Sequence, residues 1–282
     1  MNRLSLGLGV LVALAASPSL LAQTATGSAS ASETAALNNA VQGSWRDPVN
    51  VARDVHRHPQ QTLAFFGIAP QQTVIEITPG GGWYAEILAP YLRDNGNYVA
   101  AVVDPAAVAE GKGRDYQQKS KTTLESKLAA MPAQYGKAQV VAYDPKAPVF
   151  GPADSADLVL TFRNVHNWRM AGQAEGMFKG FFAVLKPGGT LGVAEHRARA
   201  DVPADDKSGY VGEAQVIAMA EAAGFELAEK SEINANPHDT KDHPNGVWTL
   251  PPVNRHDAVD DAKYKAIGES DRMTLRFVKP TS

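Results

Sequence analysis

The feature that most limits what this chain can fold into is a repeated switch of hydrophobic period. Short β-branched and aromatic runs alternate with longer segments patterned at helical spacing. Residues 73–77, 98–103, 139–143, 157–162, 190–194, 225–233 and 273–278 read as seven strands, most of them bounded by Gly, Pro, Asp or Asn. Between the first two, Tyr84, Ile87, Leu88, Tyr91 and Leu92 fall at i, i+3, i+4, i+7 and i+8, one face of a helix that Pro90 kinks or shortens. Residues 115–131, 174–185 and 211–223 are helical in character; Lys186-Pro187-Gly188-Gly189 stops the second and Gly224 closes the third. Such alternation predicts an α/β fold, a doubly wound, mostly parallel sheet with helices on both faces.

The segments around this frame differ in character. Arg3 followed by LSLGLGVLVALAASPSLLA has the basic start, short apolar stretch and small-residue end of a cleavable signal peptide, residues 1–22, cut after Ala22. The apolar run is broken by Ser17, Pro18 and Ser19, so the mature chain is expected to have no stable membrane insertion. With no cysteine anywhere, lipidation after the cut, disulfides and thiolate chemistry are excluded. Export from a Gram-negative cell makes the expected location periplasmic. Residues 23–43 are small and polar and read as a flexible tether. One domain is expected over 44–282, opening with a helical lid at 44–70. An insertion of about forty residues at 234–270 separates the last two strands, a length that in a compact domain marks a functional or disordered loop. The net charge of -3, without a run of one sign, gives no nucleic-acid groove.

The chemistry concentrates at strand ends. VIEITPGGGWYAEIL (74–88) places Gly80, Gly81 and Gly82 between the first strand and its helix, where backbone amides can approach a ligand closely. Asp104 ends the second strand, placed to take ribose hydroxyls, and Asp144 ends the third, where an adenine edge would lie. Two ligands fit this layout. Gly80 to Ala85 satisfies a dinucleotide fingerprint. However, Thr78-Pro79 stands where another glycine is usual, Pro79 donates no amide, and Trp83 and Tyr84 crowd the helix start. That favours a zwitterionic tail, as in S-adenosylmethionine, over a pyrophosphate.

From Val74 onward the chain resembles the class I S-adenosylmethionine-dependent methyltransferases. VIEITPGGGWYAEIL is similar to that family's first motif, with Glu76 at its acidic position; VVDP to the second, ADLVLTFRNVHNW to the fourth, and VLKPGGTLGVAEHRA to the strand-five turn. RHPQQTLAFFGI, PGGGWYAEILAPYL and SDRMTLRFVKP together resemble a group of exported bacterial proteins labelled predicted methyltransferases. The resemblance implies a seven-stranded Rossmann-like sheet with an antiparallel last strand, S-adenosylmethionine as cofactor, and a small-molecule substrate. It implies a cofactor site of Glu76, Thr78, Gly80, Gly81, Gly82, Asp104, Asp144 and Arg163.

Methyl transfer asks a protein for proximity, orientation and sometimes a base. The ends of strands four and five read Arg163-Asn164-Val165-His166-Asn167-Trp168 and Glu195-His196-Arg197. His166 is the candidate general base, against the plainer role of a helix-start histidine bonded to backbone. Asn164, His196 and Arg197 complete the catalytic candidates. His196 and Arg197 could hold an anionic substrate or pair with Glu195, and Trp168 could stack on a flat substrate or fill the core. Two other histidine groups invite a metal reading. His56 and His58 on a helix would point apart, and His238, Asp239, Asp242 and His243 have no recognised ligand spacing, so no metal is expected. Arg57-His58-Pro59 reads as a lid contact near the cofactor mouth. The competing expectations are a non-catalytic binding protein on the same scaffold and, further off, a nicotinamide oxidoreductase.

Overall fold

The computed structural model describes Met1 and residues 30–281. The expected signal peptide beyond Met1, and tether residues 23–29, lie outside the described residues. The remainder of the expected tether is corrected: α1 (Ala31–Val41) is a packed helix. Ser30 Oγ accepts from the Glu33 amide while the Glu33 carboxylate accepts from the Ser30 amide, a reciprocal cap. Leu37, Ala40 and Val41, at i, i+3 and i+4, are buried. Alanine and asparagine looked too polar and small to bury a core, yet α1 needs only this narrow stripe to dock on the sheet's helical layer. Leu37→Ala should lower unfolding free energy by about 2 kcal/mol in a denaturant titration, whereas a mobile tether would give no change.

The seven strands are β1 (Thr73–Ile77), β2 (Asn97–Val103), β3 (Gln139–Tyr143), β4 (Ala156–Phe162), β5 (Leu185–His196), β6 (Glu226–Ser231) and β7 (Arg272–Val278). They form one sheet in the order β3-β2-β1-β4-β5-β7-β6. Pairings are parallel from β3 through β5, and β7 runs antiparallel to both β5 and β6. The order reverses between β1 and β4, so the crevice at their carboxyl ends is where a ligand belongs in an open sheet of this kind.

The remaining helices are α2 (Pro48–Val51), α3 (Asp54–Arg57), α4 (Pro59–Phe65), α5 (Ala85–Leu92), α6 (Lys112–Ala130), α7 (Pro132–Tyr135), α8 (Val165–Met170), α9 (Ala174–Val184), α10 (Glu213–Ala222) and α11 (Asp261–Ile267). Strand alternation sorts the core into two faces. Ile75, Ile77, Val159 and Leu275 meet Phe178, Phe181 and Val216 on one; Val74, Tyr98, Leu158 and Leu160 meet Leu63, Phe66, Ile87 and Leu88 on the other. Pro90 lies inside α5 without breaking it, because Leu92 ends the helix within a turn.

The lid is fixed to this frame. Phe66 lies so close over β5 that a Cβ on Gly192 would stand 2.7 Å from its ring. Trp45 Nε1 donates to the Glu86 carbonyl at 2.8 Å and Asn50 Nδ2 to the Glu86 carboxylate at 2.9 Å. The insertion is likewise ordered. Asn234 Nδ2 donates to Thr62 and Thr274 hydroxyls, each at 3.0 Å, and a 3-10 turn at Gly246–Thr249 carries Trp248 toward the strand ends.

Candidate active site

A cleft of about 930 Å³ lies over the carboxyl ends of β1, β4 and β5. The glycine turn forms one wall. Thr78 takes a left-handed conformation at φ 51°, and its Oγ1 is 2.8 Å from the Tyr143 hydroxyl, which explains how a threonine holds a backbone position that glycine usually fills. Gly80 needs φ 59°, but Gly81 needs no positive φ, and a Cβ on either would meet nothing within 4 Å. The amides of Gly80 and Gly81 make no hydrogen bond among the described residues. No packing contact of the fold demands a glycine at 81; the open space on its cleft side does.

Trp83 lines this wall without covering it. Its Nε1 donates to the Asn50 carbonyl at 3.0 Å, and the Arg57 guanidinium lies 4.7 Å from its ring centroid, so the indole is tied under the lid. Tyr84 stacks on Phe162, centroids 3.7 Å apart, closing the space behind. Glu76, 3% exposed, accepts from the Tyr98 hydroxyl at 2.7 Å. Burial pushes its carboxyl up to about 7, against the opposing pull of the Tyr98 hydrogen bond and of Arg163 and Arg57.

The opposite wall comes from β4 and β5. The Glu195 carboxylate is fully buried and filled on both oxygens: Oε2 accepts the Val165 amide at 2.6 Å, and Oε1 accepts the His196 amide at 2.8 Å and lies 2.9 Å from His166 Nδ1. It therefore caps α8 and orients His166, whose Nε2 has no hydrogen-bond partner among the described residues, on a ring that lines the cleft. His196 Nδ1 is bonded to the Ser270 hydroxyl. Burial, then the neighbouring His166, Arg163, Arg272 and Arg57, hold His196 well below the usual imidazole range, so it stays neutral. Asn164 Nδ2 donates to the Ile77 carbonyl at 3.0 Å, tying β4 to β1 at the cleft floor.

Ligand-capable atoms of His166, Glu195 and His196 lie within 4.8 Å of one another, a convergence that strand-end spacing did not suggest. Both Glu195 oxygens already serve four donors, and three arginines raise the local potential, so the arrangement suits an oriented imidazole better than a cation. The other histidine groups are structural. Asp239 accepts from Tyr210 Oη and the Asp271 amide and sits 2.8 Å from His243 Nε2.

Glu76, Thr78, Gly80, Gly81, Arg163, Asn164, His166 and His196 thus line one cleft, and Gly82, Asp104, Asp144 and Arg197 do not. Gly82 is buried, with Leu124 Cδ1 2.8 Å from where its Cβ would be. Asp104 does end β2, but its Oδ1 accepts the Ala106 amide, and Asp144 Oδ1 accepts the Lys146 amide; each carboxylate caps its own turn. Arg197 faces away, in ion pairs with Asp271 at 3.0 Å and Glu232 at 2.7 Å, so its charge is neutralised by acids outside the cleft. Trp168 is buried, 5.5 Å from Phe181 between ring centroids, and also lines the cleft. The cleft also takes Arg53, Trp248, Glu269 and Ser270. The lid reading of Arg57 hinted at these partners, but Glu269 is 212 residues from Arg57 and no local pattern links them.

The fold is shared with solved structures. Over 87% of this chain and 98% of that one, it matches a SAM-dependent methyltransferase from Aquifex aeolicus at 14% identity and a TM-score of 0.55. It matches the [4+2]-cyclase SpnF at 17% identity and 0.56, over 89% and 94% of the two chains. It matches residues 961–1257 of StiE, an O-MT, at 14% and 0.52, over 86% and 81%. At such identities the likeness speaks for the fold. No family model matches the chain, and no curated protein matches it.

Proposed function

We propose that this chain is an S-adenosylmethionine-dependent methyltransferase, exported through the leader expected at 1–22 and acting on a small or envelope-associated molecule. The observation that carries this reading is the pair of open glycines, Gly80 and Gly81, whose amides lack partners at the reversal point of the sheet. They would hold the carboxylate end of the cofactor's amino-acid tail, with the Glu76 carboxyl beside it. S-adenosylmethionine would supply an electrophilic methyl carbon. His166, held at Nδ1 by Glu195, would take the proton of the attacking acceptor atom on its Nε2, and Asn164 and the Tyr84–Phe162 stack would keep the floor dry and rigid.

Calorimetry with S-adenosylhomocysteine tests this. Binding is expected, and saturation at about 100 times the dissociation constant should add roughly 2.7 kcal/mol to stability. Gly81→Val should weaken binding at least tenfold with an unchanged melting temperature, since its side chain would enter only ligand space. No heat and no thermal shift would remove the methyltransferase reading.

One observation favours a second reading, a non-catalytic binding protein on this scaffold. Oδ1 of Asp104 and Oδ1 of Asp144 each accept an amide of their own turn, and the Thr78–Tyr143 hydrogen bond joins the ends of β1 and β3. Under that reading the same titration gives no S-adenosylhomocysteine binding while the protein stays folded.

A further inference from the structure

Four arginines converge on one side of the cleft around a single carboxylate. Glu269 accepts from Arg53 Nε at 2.7 Å, Arg57 Nε at 3.1 Å and Arg272 Nη2 at 2.7 Å. Burial pushes the Glu269 carboxyl up, but Arg272, Arg57, Arg163 and Arg53 outweigh it and hold the group well below the carboxylate range. One ionised acid therefore serves three guanidiniums. The fourth, Arg163, makes no side-chain hydrogen bond or ion pair among the described residues, at a left-handed φ of 61° just past β4. Arg57 is 2% exposed, yet among the described residues its Nη2 has no hydrogen-bond partner, and neither does the buried Nη2 of Arg53. Arg53, Arg57 and Arg163 all line the cleft.

Buried donors without acceptors are rare because each forfeits its hydration, and this holds for Nη2 of Arg53 and of Arg57, while Arg163 is half-buried on the cleft wall. Nothing in the packing requires a cation at 163. Of the nearby carboxyls, Glu195 is filled by three backbone amides and His166, and Glu76, whose Oε2 accepts from Tyr98, makes no hydrogen bond or ion pair with an arginine among the described residues. What the cluster lacks is an oxyanion, and planar guanidinium forks match carboxylate and phosphate oxygens in pairs.

We propose that Arg53, Arg57 and Arg163 form the seat for a carboxylate or phosphate group of the methyl acceptor. Calling that ligand the acceptor rests on the methyl-transfer reading; the anion seat itself does not. The cofactor's own carboxylate is the other source of this chemistry, but the free amides of Gly80 and Gly81 already serve it, and one carboxylate leaves most of the positive charge unmatched. Arg163 and Arg57 both act on His196, so the seat adjoins the two imidazoles. An acceptor anchored there presents its nucleophilic atom beside His166. Arg163, expected from the family resemblance to serve the cofactor, is thereby assigned to the acceptor, the role that Arg197 was expected to fill.

The test is titration of inorganic phosphate into full-length protein saturated with S-adenosylhomocysteine, at ionic strength held constant with KCl. Phosphate should bind, and Arg163→Gln should weaken it at least tenfold; since Arg163 makes no contact that the fold uses, this variant should melt no lower than the parent. Arg57→Gln, which leaves Glu269 two partners, should weaken it comparably. Equal phosphate affinity in parent and variants, or none in the parent, overturns the proposal. So does a loss confined to S-adenosylhomocysteine but not 5′-methylthioadenosine, which lacks the amino-acid tail, because the cofactor's carboxylate would then occupy the seat. Phosphate binding that Arg163→Gln abolishes, in a protein that never binds S-adenosylhomocysteine, would sustain the anion seat and remove only the methyltransferase reading.

Discussion

Glu195→Ala is expected to lower the free energy of unfolding by about 3–5 kcal/mol, read as an earlier denaturant midpoint with an unchanged slope. The carboxylate is fully buried, and its removal strands the amides of Val165 and His196 and the ring nitrogen of His166 in the same dry volume. The helix α8 would lose its cap, so the His166 ring would lose its fixed orientation along with its partner. Glu195→Gln separates the two consequences. The amide oxygen can keep the Val165 bond, while the other end turns a donor toward His166 Nδ1, favouring the opposite tautomer, and toward the His196 amide, so part of the stability is lost as well. On the proposed reading, methyl transfer should then fall by about 10²–10⁴-fold, the range a positioned general base supplies, with S-adenosylhomocysteine affinity unchanged. A Glu195→Ala protein as stable as the parent would show that the buried carboxylate is not holding β4, β5 and α8 together.

Glu76→Gln should stabilise the protein at alkaline pH and leave it nearly unchanged in acid. The folded protein holds this carboxyl up at about 7, above the ordinary 4.5, so the folded state binds its proton more tightly than the unfolded chain. The group's contribution is complete below about 4.5 and is lost as pH rises through 7, by about 3 kcal/mol in all. Glutamine remains neutral, accepts from Tyr98 as the protonated acid does, and escapes that loss. Melting curves of the two proteins should therefore converge near pH 4.5 and separate by pH 8, with the variant higher. Parallel curves would mean that Glu76 titrates normally. An acid kept at such cost beside a glycine turn fits the proposed site, since sites commonly sacrifice stability for binding. The same substitution should weaken S-adenosylhomocysteine binding.

The sequence carried the sheet well because each strand is a local signal. β-branched runs closed by breakers placed β1 and β3 to the residue and the others within one or two positions at most ends. The exceptions are instructive. β5 begins at Leu185, ahead of the Lys186-Pro187-Gly188-Gly189 stretch expected to be a turn, because Leu185 pairs with Ala156 before the ladder resumes at Thr190. The helix α1 opens with Ser30-x-x-Glu33, a capping-box signal that a reading of 23–43 by composition alone passes over.

By itself, then, the sequence determined the strand–helix alternation, the glycine turn at the tip of β1, and the meeting of His166, Asn164 and Glu76 at one edge of the sheet, because residues ending neighbouring parallel strands must share that edge. It could not determine which charges remain open. Arg197 and Arg163 look alike in sequence, each just past a strand end, yet Arg197 is neutralised by Asp271 and Glu232 while Arg163 faces the cleft alone. That difference is made by chain segments 35 to 216 residues away, through the insertion and the lid that bring Glu232, Glu269 and Arg53 to their partners. Coulomb attraction falls with distance in space and not along the chain, so only the tertiary structure decides which guanidinium is left for a ligand.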